Sequence, residues 1–388
     1  MTSYWALGLM TGTACDGNID VALIKTNGVE IEEYGPFKLH PYSQSTTELI
    51  HAALKAAESW QFASQEPAIF KEAERALTIE QANAVNSFLK QEDIKPELVK
   101  AIGFHGQTVL HRPATSHRAG DTRQLGDGSL LAQLTGIPVV YDFRAADIAK
   151  GGQGAPLAPI YHSALIRRLS TDTSAQPWQA KDIAILNLGG VANLTWWDGD
   201  ENLCAFDCGP ANAPINDWIS RNTSQTYDSD GEYARSGMVN QDILAQYLKH
   251  PFFTQNYPKS LDRNSFTTEA VNSLSTEDGA ATLTAFIAEA IKIALHQLPY
   301  YPKRIIACGG GRKNKEMMRL IANIAGVTVH LAEDVDWRGD AVEAECFAFL
   351  AVRHLQKLPI SFPFTTGAPY PLQGGKLASI ILDKSSRK

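Results

Sequence analysis

The sequence predicts an α/β protein in two halves, each opening on the same kind of unit. A three-strand unit with a Gly-rich turn, followed by α/β elements, begins at residue 4 and again at residue 183. Gly-rich segments close apolar strands at residues 11–17, 189–190 and 309–311. A polar stretch, STDTSAQPWQAK at residues 170–181, falls between the two occurrences and reads as a linker or surface loop. No sequence repeat accompanies the pattern, so the halves are alike in arrangement only. At 388 residues the chain suits two domains or one large one, with ample hydrophobic core.

The elements follow in order. Residues 4–10 are an apolar strand, Asp16-Gly17-Asn18 turns the chain, and residues 19–24 alternate back, which reads as a β-hairpin. A third strand covers residues 30–42. Helical spacing of apolar residues predicts helices over 44–60 and 68–90. Residues 99–104 form a strand ending in His105-Gly106-Gln107-Thr108, and residues 137–142 another. Residues 142–159 are too rich in Gly and Pro for a regular element, and 157–169 read as helical. The opening pattern then recurs as strands over 183–188, 191–197 and 203–206, with a helix over 211–220. Residues 223–265 read as largely irregular and 280–297 as a long helix. A strand at 303–308, a helix at 313–325, a strand at 327–331 and a helix at 339–357 complete the pattern.

Composition excludes some functions. Apolar content of 44% and charged content of 20% are those of an ordinary soluble globular chain. A net charge of −7 without a basic block speaks against nucleic acid as a partner. Five cysteines, without CxxC or a zinc-type spacing, argue against a structural metal site and suit a reducing cytosol. The N-terminus MTSYWALGLM has neither the positive region nor the cleavage site of a signal peptide. No apolar run approaches the roughly 18 residues that span a bilayer, so no membrane partner is expected.

Chemistry concentrates at the strand ends. Gly12 and Gly17 allow close backbone approach and positive φ. Successive N–H groups in such a turn can form an anion nest. Thr11 and Thr13 add hydroxyls, and Asp16 is placed to hold a metal ion through water. A single turn of this kind is usually an ordinary hairpin; its recurrence lifts the reading. ILNLGGVANLTWW, residues 185–197, offers backbone N–H groups with Asn187 and Asn193 as side-chain donors. Paired with the first turn, it points to a nucleotide polyphosphate. IIACGGGRKNKEMMRLIA, residues 305–322, runs a strand into three glycines and a helix whose N-terminus suits an anion. It matches neither a dinucleotide fingerprint nor a Walker loop. Arg312 and Lys313 read equally as nucleotide contacts and as a solvated first helical turn.

Asp207, in LCAFDCGPANAPINDWI, ends an apolar strand before a Gly-Pro turn into a helix. From position alone it is a structural cap. In a phosphate-binding chain the same strand–acid–turn–helix unit favours a catalytic base. The loop DFRAADIAKGGQGAP carries Arg144, Asp147 and Gln153, and long ordered loops line binding sites. Glu343 lies nearer its helix start than Glu345 and is the better placed to reach a ligand. The alternative is a first-turn acid complementing the helix dipole. His105 reads as a turn or core histidine.

GLMTGTACDGNIDVAL, GFHGQTVLHRP, DFRAADIAKGGQGAPLAP, LNLGGVANLT, FDCGPAN and ACGGGRKN stand here in the order found in anhydro-N-acetylmuramic acid kinases. Over residues 5–370 the chain resembles that family, which belongs to the sugar kinase, Hsp70 and actin superfamily. The resemblance implies two ribonuclease-H-like α/β domains around a central ATP cleft, closing on ligand. The expected division is residues 1–148, joined by 370–388, against 149–369. ATP phosphates would lie on Gly12, Thr13, Ala14, Cys15, Asp16, Gly17 and Asn18 and on Gly189, Gly190 and Asn193. The adenosine would lie on Gly309, Gly310 and Gly311. Asp207 matches the catalytic aspartate, with Asp16 and Asp207 near the water shell of Mg²⁺. Thr11, Arg144, Asp147, Gln153 and Glu343 are the candidates for the sugar.

The family motif SGTSxDG reads TGTACDG here, so Ala14 lacks a hydroxyl. PPKSTGRE reads YPKSLDRN at residues 257–264, keeping Lys259, Ser260 and Arg263. The implied partner is a small anhydro amino sugar, with a homodimer left open. The implied reaction opens 1,6-anhydro-N-acetylmuramic acid with water and phosphorylates O6. Two other readings stay open: a sugar kinase acting on a free hydroxyl, and an ATP switch of the actin or Hsp70 kind.

Overall fold

The computed structural model describes residues 1–11, 17–63, 65–114, 118–171, 178–261 and 265–380. The chain divides into two compact units, Met1–Leu165 with Ala341–Lys388, and Ile166–Asp340.

The first unit opens on β1 (Tyr4–Thr11), paired antiparallel with β2 (Asn18–Thr26) from Tyr4↔Thr26 to Thr11↔Ile19. β3 (Ile31–Pro41) continues the meander. Ser43 caps α1 (Gln44–Trp60) by accepting the Thr46 N–H, and α2 (Ala68–Gln91) follows. β4 (Val99–Phe104) returns parallel to β1. β5 (Gln107–Arg112) and β6 (Asp121–Leu125) form a hairpin that the sequence pattern does not announce. Their residues TVLHR and DTRQL mix charge with apolar positions and carry no clean alternation. α3 (Gly128–Thr135), equally unannounced, is capped by Asp127 and stopped by Gly136 at φ 68°. β7 (Val139–Tyr141) runs parallel to β4. A short α4 (Ala145–Ala149) sits inside the segment expected to be irregular, and α5 (Pro159–Thr171) leads out of the unit.

The second unit repeats the plan. β8 (Ile183–Leu188), β9 (Val191–Trp197) and β10 (Leu203–Pro210) form an antiparallel meander. α6 (Asn212–Asn222) follows, and the stretch expected to be irregular contains α7 (Glu232–Ser236) and α8 (Gln241–Leu248). α9 (Thr276–Gln297) is capped by Ser275. By length and composition this helix could cross a membrane, but 78% of its apolar window is buried inside the protein. Phe286, Ile287, Ile291 and Leu295 are buried, as in a core helix. β11 (Arg304–Cys308) lies parallel to β8, α10 (Lys315–Ala325) follows, and β12 (Thr328–Leu331) lies parallel to β11.

The chain then returns to the first unit through α11 (Val342–Leu355) and β13 (Lys376–Ala378), which pairs with β7. Among the described residues the sheets are ordered β13-β7-β4-β1-β2-β3 and β10-β9-β8-β11-β12. Each thus contains a meander followed by parallel strands in the order 3-2-1-4-5, the ribonuclease-H-like arrangement.

The units change at 165 and 341 in place of the expected 148 and 370, and α11 accounts for the second difference. A Cβ on Gly8 would stand 1.7 Å from the Ala344 carbonyl oxygen, and one on Gly103 1.9 Å from that of Phe347. The helix lies directly on the backbones of β1 and β4, so residues from 341 onward complete the first unit's sheet.

Candidate active site

The second unit gathers polar groups into one row. Asn187 on β8 faces Asn193 on β9, which faces Asp207 on β10. Residues opposite each other on neighbouring strands share a sheet face. The three are half-buried in strands whose other positions are mostly buried. The row lies at the carboxyl end of β8, and Cys308, the last residue of parallel β11, pairs with Asn187. Carboxyl ends of parallel strands are where ligands bind in open α/β sheets.

Asp207 is held from both sides. Its backbone N–H donates to the Lys259 carbonyl at 3.1 Å, and the Leu261 N–H donates to its Oδ2 at 2.7 Å. Burial pushes its carboxyl up from an ordinary 3.8 to about 7, against the opposing pull of the Leu261 N–H and the Lys259 charge. Lys259 is buried, donates to the Phe252 carbonyl at 3.2 Å and sits 4.5 Å from the Phe252 ring centre. Burial pushes its ammonium down, partly offset by the charges of Cys208 and Asp207. YPKSLDRN thus runs along the acid-bearing strand as far as Leu261; Arg263 lies outside the described residues.

The two glycine turns of this unit pack on each other. Gly309 has φ 75°, and a Cβ there would meet Asn187 Oδ1 at 2.4 Å. A Cβ on Gly311 would meet Leu188 Cβ at 2.7 Å and Asn212 Oδ1 at 2.9 Å. Gly310 differs: its nearest neighbour would be Asn212 Nδ2 at 3.8 Å. Gly189 is similarly open, with the Val191 carbonyl at 3.7 Å. The Gly189 and Gly190 carbonyls accept the N–H groups of Asn212 and Ala211 at 2.9 and 3.0 Å. Arg312 is turned inward, bonded to Glu333, Asp340 and the Gly309 carbonyl. Lys313 stays exposed, 3.5 Å from Asp340.

In the first unit, Gly12, Thr13, Ala14, Cys15 and Asp16 lie outside the described residues. Gly17 has φ 84°, a Cβ added there would meet nothing within 4 Å, and Asn18 begins β2. Thr11, expected at the sugar, is instead only 1% exposed. Its Oγ1 lies 2.8 Å from the Tyr42 hydroxyl and accepts from Gln81 Nε2 at 2.9 Å. The interior occupies its hydroxyl.

Asp147 is likewise buried. Its Oδ2 accepts the Gly154 N–H and its Oδ1 the Thr366 hydroxyl, both at 2.7 Å. This carboxylate ties the loop together. Gln153 donates its backbone N–H to the Thr366 carbonyl at 2.7 Å, leaving its side chain half-buried. Arg144 donates to the Gly154 carbonyl at 2.8 Å and lies 3.1 Å from His105 Nε2. Burial pushes the guanidinium down, and the Glu343 charge opposes this, so Arg144 and Glu343 share one neighbourhood. Glu343 is exposed in the first turn of α11.

Three residues packed beside these groups carry little signal in the sequence. His105 is buried against Phe347 and beside Arg144; burial first, then the Arg144 charge, pushes it down to about 3, so it is neutral. Lys259 stands out only as part of a motif. Asn212, the last residue of FDCGPAN, reaches both glycine turns of the second unit.

Two units of ribonuclease-H-like strand order are the fold of the sugar kinase, Hsp70 and actin class. Within it, the chain belongs to the anhydro-N-acetylmuramic acid kinase family, whose model matches residues 4–379. It is 53% identical over 378 residues to the anhydro-N-acetylmuramic acid kinase of Mesorhizobium japonicum, covering 97% of this chain and 100% of that one. It is 54% identical over 377 residues to that of Brucella anthropi, with the same coverage. With the kinase of Rhodopseudomonas palustris strain CGA009 it shares 45% over 374 residues, 96% of this chain and 98% of that one.

Proposed function

We propose that this chain is an ATP-dependent kinase that hydrolytically opens 1,6-anhydro-N-acetylmuramic acid and phosphorylates O6. The products are N-acetylmuramic acid 6-phosphate and ADP, in the recycling of cell-wall fragments. The observation that carries the reading is the Asn187–Asn193–Asp207 row, where one carboxylate held near neutrality stands beside open glycine turns. A general base works best with its pKa near the working pH.

Asp207 takes a proton from water, and the water oxygen bonds to the anomeric carbon as the bond from that carbon to O6 breaks. The electron pair left on O6 forms the bond to the γ-phosphorus, and ADP leaves. Inverting glycoside hydrolysis ordinarily needs an acid for the leaving oxygen. Here the phosphoryl group takes that oxygen's charge, so one carboxylate suffices.

The residues fit the nucleotide. Gly310 and Gly189 leave open the space that a flat or anionic group needs, while Gly309 and Gly311 cannot carry a side chain without displacing their neighbours. Asp16, which lies outside the described residues, and Asp207 would each meet Mg²⁺ through water, and the ion would supply neutralisation of the polyphosphate. A cytoplasmic setting belongs to the same proposal: Cys204, Cys208, Cys308 and Cys346 are buried free thiols.

Turnover in ¹⁸O-labelled water is the test. An anhydro sugar has no free O6 to deprotonate, so Asp207 acts on water. Label is expected in the anomeric hydroxyl at early times, above the exchange seen when purified product is incubated alone. O6 and the phosphoryl group should stay unlabelled. Label in the phosphate would mean prior ATP hydrolysis. No anomeric label above the control would pass the assignment to a kinase acting on a free hydroxyl.

A further inference from the structure

We propose that Asn212 is a positioning residue that locks the two glycine turns of the second unit into one nucleotide-binding surface. This rests on the assignment of those turns to the phosphates and adenosine of ATP. Asn212 Nδ2 donates to the Leu188 carbonyl at 3.1 Å, and its backbone N–H donates to the Gly189 carbonyl at 2.9 Å. Both bonds hold the second turn. The other side of the same amide packs on the third turn. Its Oδ1 stands 2.9 Å from where a Cβ of Gly311 would be, and its Nδ2 3.8 Å from that of Gly310.

The amide is therefore a wedge between the turns, fixed by a hydrogen bond to one and by contact with the other. The neighbouring Ala211 has no side-chain cap to offer the start of α6, so this arrangement is not a helix cap. A ligand that needs both turns at once gains from having their spacing set beforehand, because binding then orders less of the protein. Groups that touch only one turn gain nothing from it. Asn212 thus acts through the glycine backbones and needs no direct contact with the reacting atoms.

The experiment compares Asn212→Ala, Asn212→Asp and Asn212→Gln in the full-length enzyme. It measures steady-state kinetics for both substrates, calorimetric binding of AMPPNP and thermal unfolding. Asn212→Ala should raise the KM for ATP and the Kd for AMPPNP up to about tenfold, the loss expected for removing one hydrogen bond, since the backbone N–H to Gly189 is kept. The KM for the anhydro sugar should stay within about twofold and kcat within about threefold. Asn212→Asp keeps the shape but loses the donor, so it should behave as Ala does. Asn212→Gln keeps the amide on a longer arm and should recover part of the affinity.

ATP affinity unchanged in both Ala and Asp variants would overturn the proposal. So would an equal rise in both KM values accompanied by a large fall in Tm, the signature of a purely structural residue. Gly310→Val separates the two levels. If it weakens AMPPNP binding about tenfold or more while Asn212→Ala does not weaken it, only the positioning role fails. If it binds AMPPNP normally, the nucleotide assignment fails and the proposal falls with it.

Discussion

Asp207→Asn should lower kcat by roughly 10²- to 10⁴-fold, the usual worth of a general base. AMPPNP binding should stay within about threefold of wild type. Asparagine keeps the shape and can still accept the Leu261 N–H, but it cannot take a proton from water. The wild-type kcat/KM should rise with unit slope up to about pH 7, where Asp207 ionises, and then level off. Stability should respond in the opposite sense. Asp207 binds its proton more tightly folded than unfolded, so its contribution is fully present below about pH 4 and is lost as pH rises through about 7. At pH 8 the charged, buried carboxylate costs the fold up to about 4 kcal/mol, with about 1.4 kcal/mol for each pKa unit. Asparagine carries no such charge. The variant should therefore melt several degrees above wild type at pH 8, and the gap should close near pH 4. Wild-type turnover by Asp207→Asn would sink the catalytic assignment.

The prominent strands are legible in the sequence because their apolar runs stop at glycine, as at residues 183–190 and 303–311. Asp207 is legible because a charge in an apolar strand demands an explanation, although β10 runs past it to Pro210 and does not stop at 206. The β5–β6 hairpin is not, since its strands carry polar residues on both faces. Thr11 and Asp147 show a different limit. Polarity says that a side chain needs a partner, but not whether that partner is a ligand or another part of the chain. Thr11 finds Tyr42 and Gln81, and Asp147 finds Thr366, which lies 219 positions away. Asn212 and Lys259 owe their roles to contacts of the same distant kind, which no local pattern marks.

Gly310→Val should weaken AMPPNP binding by about 10- to 100-fold, the equivalent of about 1–3 kcal/mol of overpacking. Tm should hardly change. Gly310 has no positive φ, and a Cβ there meets nothing closer than 3.8 Å, so the free protein can accommodate valine. The added methyl groups compete only with what binds. Gly309→Ala is the instructive contrast. At φ 75°, with Asn187 Oδ1 2.4 Å from the new Cβ, it should lower Tm as well as affinity. Equal affinity of wild type and Gly310→Val would remove the adenosine from this turn.

The path of the chain through α11 bears on how the protein is made. Gly8 and Gly103 wait for a helix that begins at Val342, while the second unit is one continuous segment, 166–340. On the ribosome the N-terminal sheet emerges first yet stays uncovered on one side through the synthesis of everything between. Domains generally fold as units when their sequence is complete. The segment born second is thus complete, and can finish folding, before the one born first. The segment born first stays an open sheet, in need of shelter from aggregation, until the residues from 341 onward have been made.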